Sequence, residues 1–174
     1  MAHGFAIRFE LSNSCWRAAP DWRYAWLMDR IADCELCARA GGELLWEDDD
    51  CRVVRATDAA GDDFPGLCRV VWHRHVAEMS DLPAADARRA MDIVLATERA
   101  VRRVVRPDKV NLASLGNVVP HLHWHVIPRW RDDSRYPAPI WAAPQRSGAV
   151  RTKPASADLR QALATELSQV DPNP

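Results

Sequence analysis

Three imidazoles alternate with apolar residues in His121-Leu122-His123-Trp124-His125, and Val126-Ile127 extend the run to Pro128. In an extended strand successive side chains point to opposite faces. That spacing predicts His121, His123 and His125 on one face, Leu122, Trp124 and Val126 on the other toward a core, and an end to the strand at Pro128. A neutral imidazole titrates near pH 6.5, so at neutral pH one ring can attack as a nucleophile while a neighbour carries a proton. Phosphorus is a suitable electrophile, and the anionic oxygens around it require donors. Gly116-Asn117, just before the run, offers an amide side chain and backbone N–H groups.

Metal chemistry is the second possibility. Cys34-Glu35-Leu36-Cys37 has the spacing of two thiolates on one ion, and no βαβ pattern surrounds it to favour a redox pair. A closed zinc site takes four ligands, often Cys₂His₂, so one histidine from each of two strands would complete it. His73 or His75 would come from the first strand and His121 from the second. Zinc on all three histidines of the run would instead make an open hydrolytic centre, and spacing alone leaves that alternative standing.

The elements that must position these groups follow from the pattern of the chain. Its 174 residues, 48% hydrophobic and 27% charged, fit one globular domain with a terminal appendage. A net charge of −1 gives no general attraction to extended nucleic acid or to a membrane surface. No apolar run has the length of a membrane span. The apolar N-terminal stretch is broken by Arg8 and Glu10, unlike a signal peptide, and five cysteines without dense spacing fit a reducing cytoplasm.

Residues 1–33 read as an extension with a helix across 17–31, residues 34–145 as the domain that holds the chemistry, and 146–174 as a tail with a short helix. Strands are expected at 43–46 and 51–56, joined by the acidic turn Glu47-Asp48-Asp49-Asp50, taken as solvated. A loop covers 58–66 and a third strand 67–72, which delivers His73 and His75. A long amphipathic helix is expected from Ser80 or Asp81 to Arg106, stopped by Pro107, its arginines mainly on solvent faces. A fourth strand spans 109–115, the histidine run forms the fifth, 131–154 is irregular, and 158–170 is a last helix. Two strand groups around one helix indicate an α+β fold with a largely antiparallel sheet.

The run His121-Leu122-His123-Trp124-His125-Val126-Ile127 resembles the His-φ-His-φ-His-φ-φ motif of the histidine-triad (HIT) family of nucleotide hydrolases and transferases. Leu67 to Leu82 resembles the family's strand, histidine-containing turn and helix entry. Gly116-Asn117 matches its glycine-amide pair, although many members carry Gln at the amide and Ser or Thr at Val118.

The resemblance covers about residues 34–145. It implies a five-stranded antiparallel sheet with one long helix and a C-terminal helix, usually in a homodimer. It implies His123 as nucleophile on an α-phosphate, giving a nucleotidyl-histidine, and His125 as its partner at the phosphate or leaving group. Asn111, Gly116 and Asn117 would bind a nucleotide substrate. Cys34, Cys37, His75 and His121 would hold a structural zinc, as in the branch that resembles diadenosine-polyphosphate hydrolases. A nucleotide-binding adaptor with little turnover, and the three-histidine metallohydrolase, are the alternatives.

Overall fold

In the computed structural model the structure describes residues 30–170, and the helix expected at 17–31 lies almost wholly outside them. The described elements are α1 (Glu35–Ala38), β1 (Glu43–Glu47), β2 (Cys51–Arg55), α2 (Ala59–Asp63), β3 (Cys68–Trp72), α3 (Ala84–Val105), β4 (Lys109–Ala113), β5 (His123–Arg129) and α4 (Ser156–Leu167). The five strands form one antiparallel sheet in the order β1-β2-β3-β5-β4. This is the expected α+β architecture with one long helix and a C-terminal helix.

The β-branched runs Cys51–Arg55 and Cys68–Trp72 suit interior strands, because branched side chains pack well on a pleated surface. Their alternation sends Cys51, Val53, Cys68, Val70, Trp72, Trp124 and Val126 to one face. There α3 supplies Ile93, Val94 and Val101, and α4 supplies Leu159 and Leu163, all in the same core. Ile93, Val94 and Val126 are wholly buried, each worth about 1.5–3 kcal/mol relative to exposure. Buried Glu166 of α4 accepts from Arg99 and Arg103 of α3 at 2.8 and 2.7 Å, so these two helix arginines clamp one helix to another.

Several boundaries differ from the expected ones, each for a physical reason. The long helix begins at Ala84, because Pro83 forces Leu82 into an extended conformation (φ −80°, ψ 146°). Met79–Asp81 forms a separate 3₁₀ turn, closed by reciprocal bonds between Glu78 and Asp81. The polar loop after β2 contains the short helix α2, whose N-terminus is capped by Asp58 accepting from the Gly61 N–H at 3.1 Å. Pro128 does not end β5. Pairing with β3 stops at Cys68 and Val126, so Pro128 pairs only with Val110 of β4, at a position with a single neighbouring strand. The acidic turn is not simply solvated: Asp48 accepts from the N–H groups of Asp50 and Cys51 at 2.9 and 2.8 Å and pairs with Arg89 at 2.7 Å.

Candidate active site and metal cluster

The sheet face away from α3 and α4 carries the candidate catalytic histidines. Register places Arg52, Val71 and His123 in one cross-strand row and Val54, Arg69 and His125 in the next. Side chains directly opposite one another share a face, so both histidines stand among these groups. Their rings lie 4.9 Å apart, and Trp141 meets His125 edge-on at 5.3 Å. Together they line a cavity of about 750 Å³. Its other walls are the loop 39–42, Thr57-Asp58 with Arg69, and the turn Leu115–Val119.

His121 stands just before β5, and its ring meets the cysteines, which pack against Val71, the cross-strand partner of His123. His121 is wholly buried, and its Nδ1 lies 3.4 Å from the sulfur atoms of both Cys34 and Cys37. His75 Nδ1 lies 3.5 Å from Cys37 Sγ, and the four ligand atoms all fall within 4.8 Å of one another. His73 is drawn elsewhere, its Nε2 donating to the Asp48 carbonyl at 2.9 Å, so His75 is the histidine that β3 delivers to the cysteines.

The donor set fits a tetrahedral metal. With metal–sulfur bonds of about 2.3 Å and metal–nitrogen bonds of about 2.0–2.1 Å, the sulfur–nitrogen edge of a tetrahedron is about 3.6 Å. The Trp72 carbonyl accepts from His121 Nε2 at 2.7 Å, which holds the proton on Nε2 and leaves the Nδ1 lone pair facing the sulfur atoms. Burial pushes the His121 pKa down to about 4, so the ring is neutral, as a ligand must be. A three-histidine centre would need this same nitrogen, which is spent on the cysteine side.

His123 is fixed by its neighbour. Its Nδ1 donates to the His121 carbonyl at 2.6 Å, leaving Nε2 as the bare nitrogen of a ring that lines the cavity. Burial lowers its pKa, outweighing that hydrogen bond. Burial, then the neighbouring His123 and Arg69, push His125 down to about 4, and its buried Nδ1 has no partner among the described residues.

Of the expected substrate-binding residues, Gly116 and Asn117 line the cavity, with Gly116 in the left-handed region (φ +66°) that shapes the turn. Asn111 is not among the lining residues. Its Oδ1 accepts from Arg129 at 2.8 Å, which ties it to the end of β5.

Sequence reasoning missed the Arg69–Asp58 pair, joined at 2.5 Å, and the Gly41-Gly42 wall. An arginine inside the apolar strand Cys68–Trp72, two residues from Val71 and so on one face with it, was the available signal. Trp141, half-exposed at 51%, finds its place against His125 rather than in a core.

A small α+β protein with paired histidines on an open sheet face, beside a Cys₂His₂ cluster, is the class that fold and site define. The HIT domain model matches residues 39–132, and the chain belongs to that family. It is 31% identical over 111 residues to proteins named AP-4-A phosphorylase from two strains of Mycobacterium tuberculosis, a match covering 60% of this chain. The match covers 54% of those relatives, so the chain spans about half their length.

Among solved structures, a histidine triad protein from Marinobacter aquaeolei VT8 superposes with a TM-score of 0.59 at 28% identity, covering 78% of this chain and 94% of that one. One from Bradyrhizobium japonicum superposes at 0.55 and 25% identity, covering 71% and 90%. A zinc-bound histidine triad family protein from Mycobacterium smegmatis shares the fold at 0.53 and 21% identity, covering 80% and 96%. Among the described residues, no helix is long and apolar enough to cross a membrane.

Proposed function

We propose that the protein is a nucleotide hydrolase or nucleotidyl transferase in which His123 attacks an α-phosphate and is transiently nucleotidylated. The observation that carries this reading is the state of His123: Nδ1 is held by the His121 carbonyl, and Nε2 stays unprotonated at the cavity. In the first step the Nε2 lone pair forms the N–P bond while the P–O bond to the leaving group breaks. In the second an acceptor oxygen attacks phosphorus, the N–P bond breaks, and the imidazole is regenerated. Water as acceptor gives hydrolysis and phosphate gives phosphorolysis.

His125 serves the leaving group. It is neutral in the ligand-free cavity, but phosphate beside it favours its charged form and raises its pKa, so substrate itself arms the proton donor. Gly116 and Asn117 stand at the cavity wall to donate to phosphate oxygens. Dinucleoside polyphosphates such as diadenosine tetraphosphate are the proposed substrates, a choice supported by the name of the mycobacterial relatives.

Cys34, Cys37, His75 and His121 would hold a structural zinc, supported by the donor geometry and by the zinc-bound mycobacterial structure. Such an ion would tie α1 to the ends of β3 and β5. A homodimer is proposed from the exposed apolar residues Leu115, Val118 and Trp141, and sedimentation as a monomer at micromolar concentration would remove it. A cytoplasmic location is proposed from the free thiols.

The test is a single-turnover trap of labelled nucleotide on the protein. His123→Ala should abolish the adduct and lower turnover by several orders of magnitude while metal content stays unchanged. His125→Ala should slow turnover by about 10²–10⁴. Binding of nucleotide with no adduct in the wild type would favour the adaptor reading, and undiminished turnover in His123→Ala would end the nucleophile assignment.

A further inference from the structure

Two strand arginines hold the segment that leaves the metal cluster. Arg52 donates to the carbonyls of Leu36, Arg39 and Ala40 at 2.6, 3.0 and 2.9 Å, and Arg69 donates to that of Gly41 at 2.9 Å. The segment carries Cys34 and Cys37 at one end, and Glu35, Leu36 and residues 39–42 along it form a wall of the cavity. It fits tightly: a Cβ on Gly42 would stand 2.3 Å from the Arg55 carbonyl oxygen. The metal ligands and the cavity wall are therefore parts of one short, tethered stretch of backbone. A second link runs through His121, whose side chain joins the cluster and whose carbonyl orients His123.

We propose that Arg69 is a positioning residue of this site, and that through the segment it holds, residues 34–42, the metal cluster and the nucleotide cavity are energetically coupled. Arg69 sits directly across from His125 in the β3–β5 ladder and spans to Gly41 and Asp58. It fixes the far wall of the cavity relative to the histidines. A metal at Cys34 and Cys37 fixes the other end of that wall. With the ion removed, the segment keeps the two arginines and its packing on Val71 but loses the tie between its cysteines and the histidines, and a ligand that needs the wall in place must order it on binding. Linkage then requires that nucleotide raise metal affinity by the same factor that metal raises nucleotide affinity. The inference rests on the proposed nucleotide-binding role of the cavity, but not on a histidine nucleophile.

Three measurements on the full chain test it. Hydrogen exchange with and without zinc should show residues 39–42 less protected in the metal-free protein. AMP affinity, read by calorimetry, should fall on the order of 5–150-fold on metal removal, and zinc affinity should rise by the same factor under saturating AMP. In protein loaded with Co²⁺, AMP should perturb the thiolate-to-cobalt absorption bands in the wild type. That response should be absent in Arg69→Met and partly kept in Arg69→Lys.

Unchanged exchange at 39–42 in folded metal-free protein overturns the proposal. So does a full cobalt response in Arg69→Met. If the metal-free protein unfolds globally, the cobalt measurement, made on loaded protein, decides. If AMP does not bind at all, the nucleotide role of the cavity falls, and the exchange measurement alone decides whether the wall is coupled to the metal.

Discussion

Replacing Asp133 by alanine should be among the most damaging single changes outside the main core. Its carboxylate, 3% exposed, pairs with Arg129, 2% exposed, at 2.8 Å from Nε and 3.1 Å from the second guanidinium nitrogen. It also accepts from the backbone N–H groups of Trp130, Arg135 and Tyr136 at 3.2, 2.9 and 2.7 Å. Removing it strands a buried guanidinium that, among the described residues, keeps Asn111, the Ala138 carbonyl and the faces of Phe64 and Tyr136. Breaking a buried pair in this way costs about 3–5 kcal/mol. At roughly 3–4 °C per kcal/mol for a domain of this size, Tm should fall by about 10–20 °C. Asp133→Asn keeps one acceptor oxygen and should lose less.

Acid titration gives an independent readout of the same carboxylate. Burial alone would raise the Asp133 pKa, but the bonds from Arg129 and from the Arg135 and Trp130 N–H groups hold it below the usual carboxylate range. A depressed folded pKa contributes stability that is complete above the unfolded value near 3.9 and is lost as pH falls through the folded one. Urea midpoints should therefore drop more steeply below about pH 4 in the wild type than in Asp133→Asn. A loss under about 1 kcal/mol in Asp133→Ala, below the scale of a broken buried pair, would refute the reasoning. So would identical acid slopes in the wild type and Asp133→Asn.

Cys37→Ser should abolish zinc binding and lower Tm, read by metal analysis and calorimetry on the same sample; full zinc occupancy would exclude Cys37 as a ligand. Ile93→Ala, at a wholly buried position of α3, should cost about 2–5 kcal/mol in urea unfolding without altering metal content. Trp141→Ala removes the ring that packs on His125 at the cavity and should raise KM and lower kcat while leaving Tm nearly unchanged, because the residue is half-exposed.

Much of the site was legible because its signals are local. Cys34 and Cys37 are three positions apart in the chain, and the period of two along β5 put His123 and His125 on one face before any contact was known. The start of the fifth strand was misplaced, since β5 begins at His123 and His121 stands just before it. The ladder with β3 likewise begins at His123, and the ring of His121 meets the cysteines.

Pro128 was misjudged for a related reason. Proline breaks a strand where its missing N–H is needed, and sequence does not reveal that β3 has already ended at that level. Arg69 and Asp133 were hidden more deeply, since both act on backbone groups of loops whose course only the fold decides.

The division of labour among the three histidines follows from the place of His121 just before β5, beside the cysteines. From there it gives its side chain to the cluster and its carbonyl to His123 Nδ1. One residue thus joins the Cys₂His₂ cluster to the proposed nucleophile.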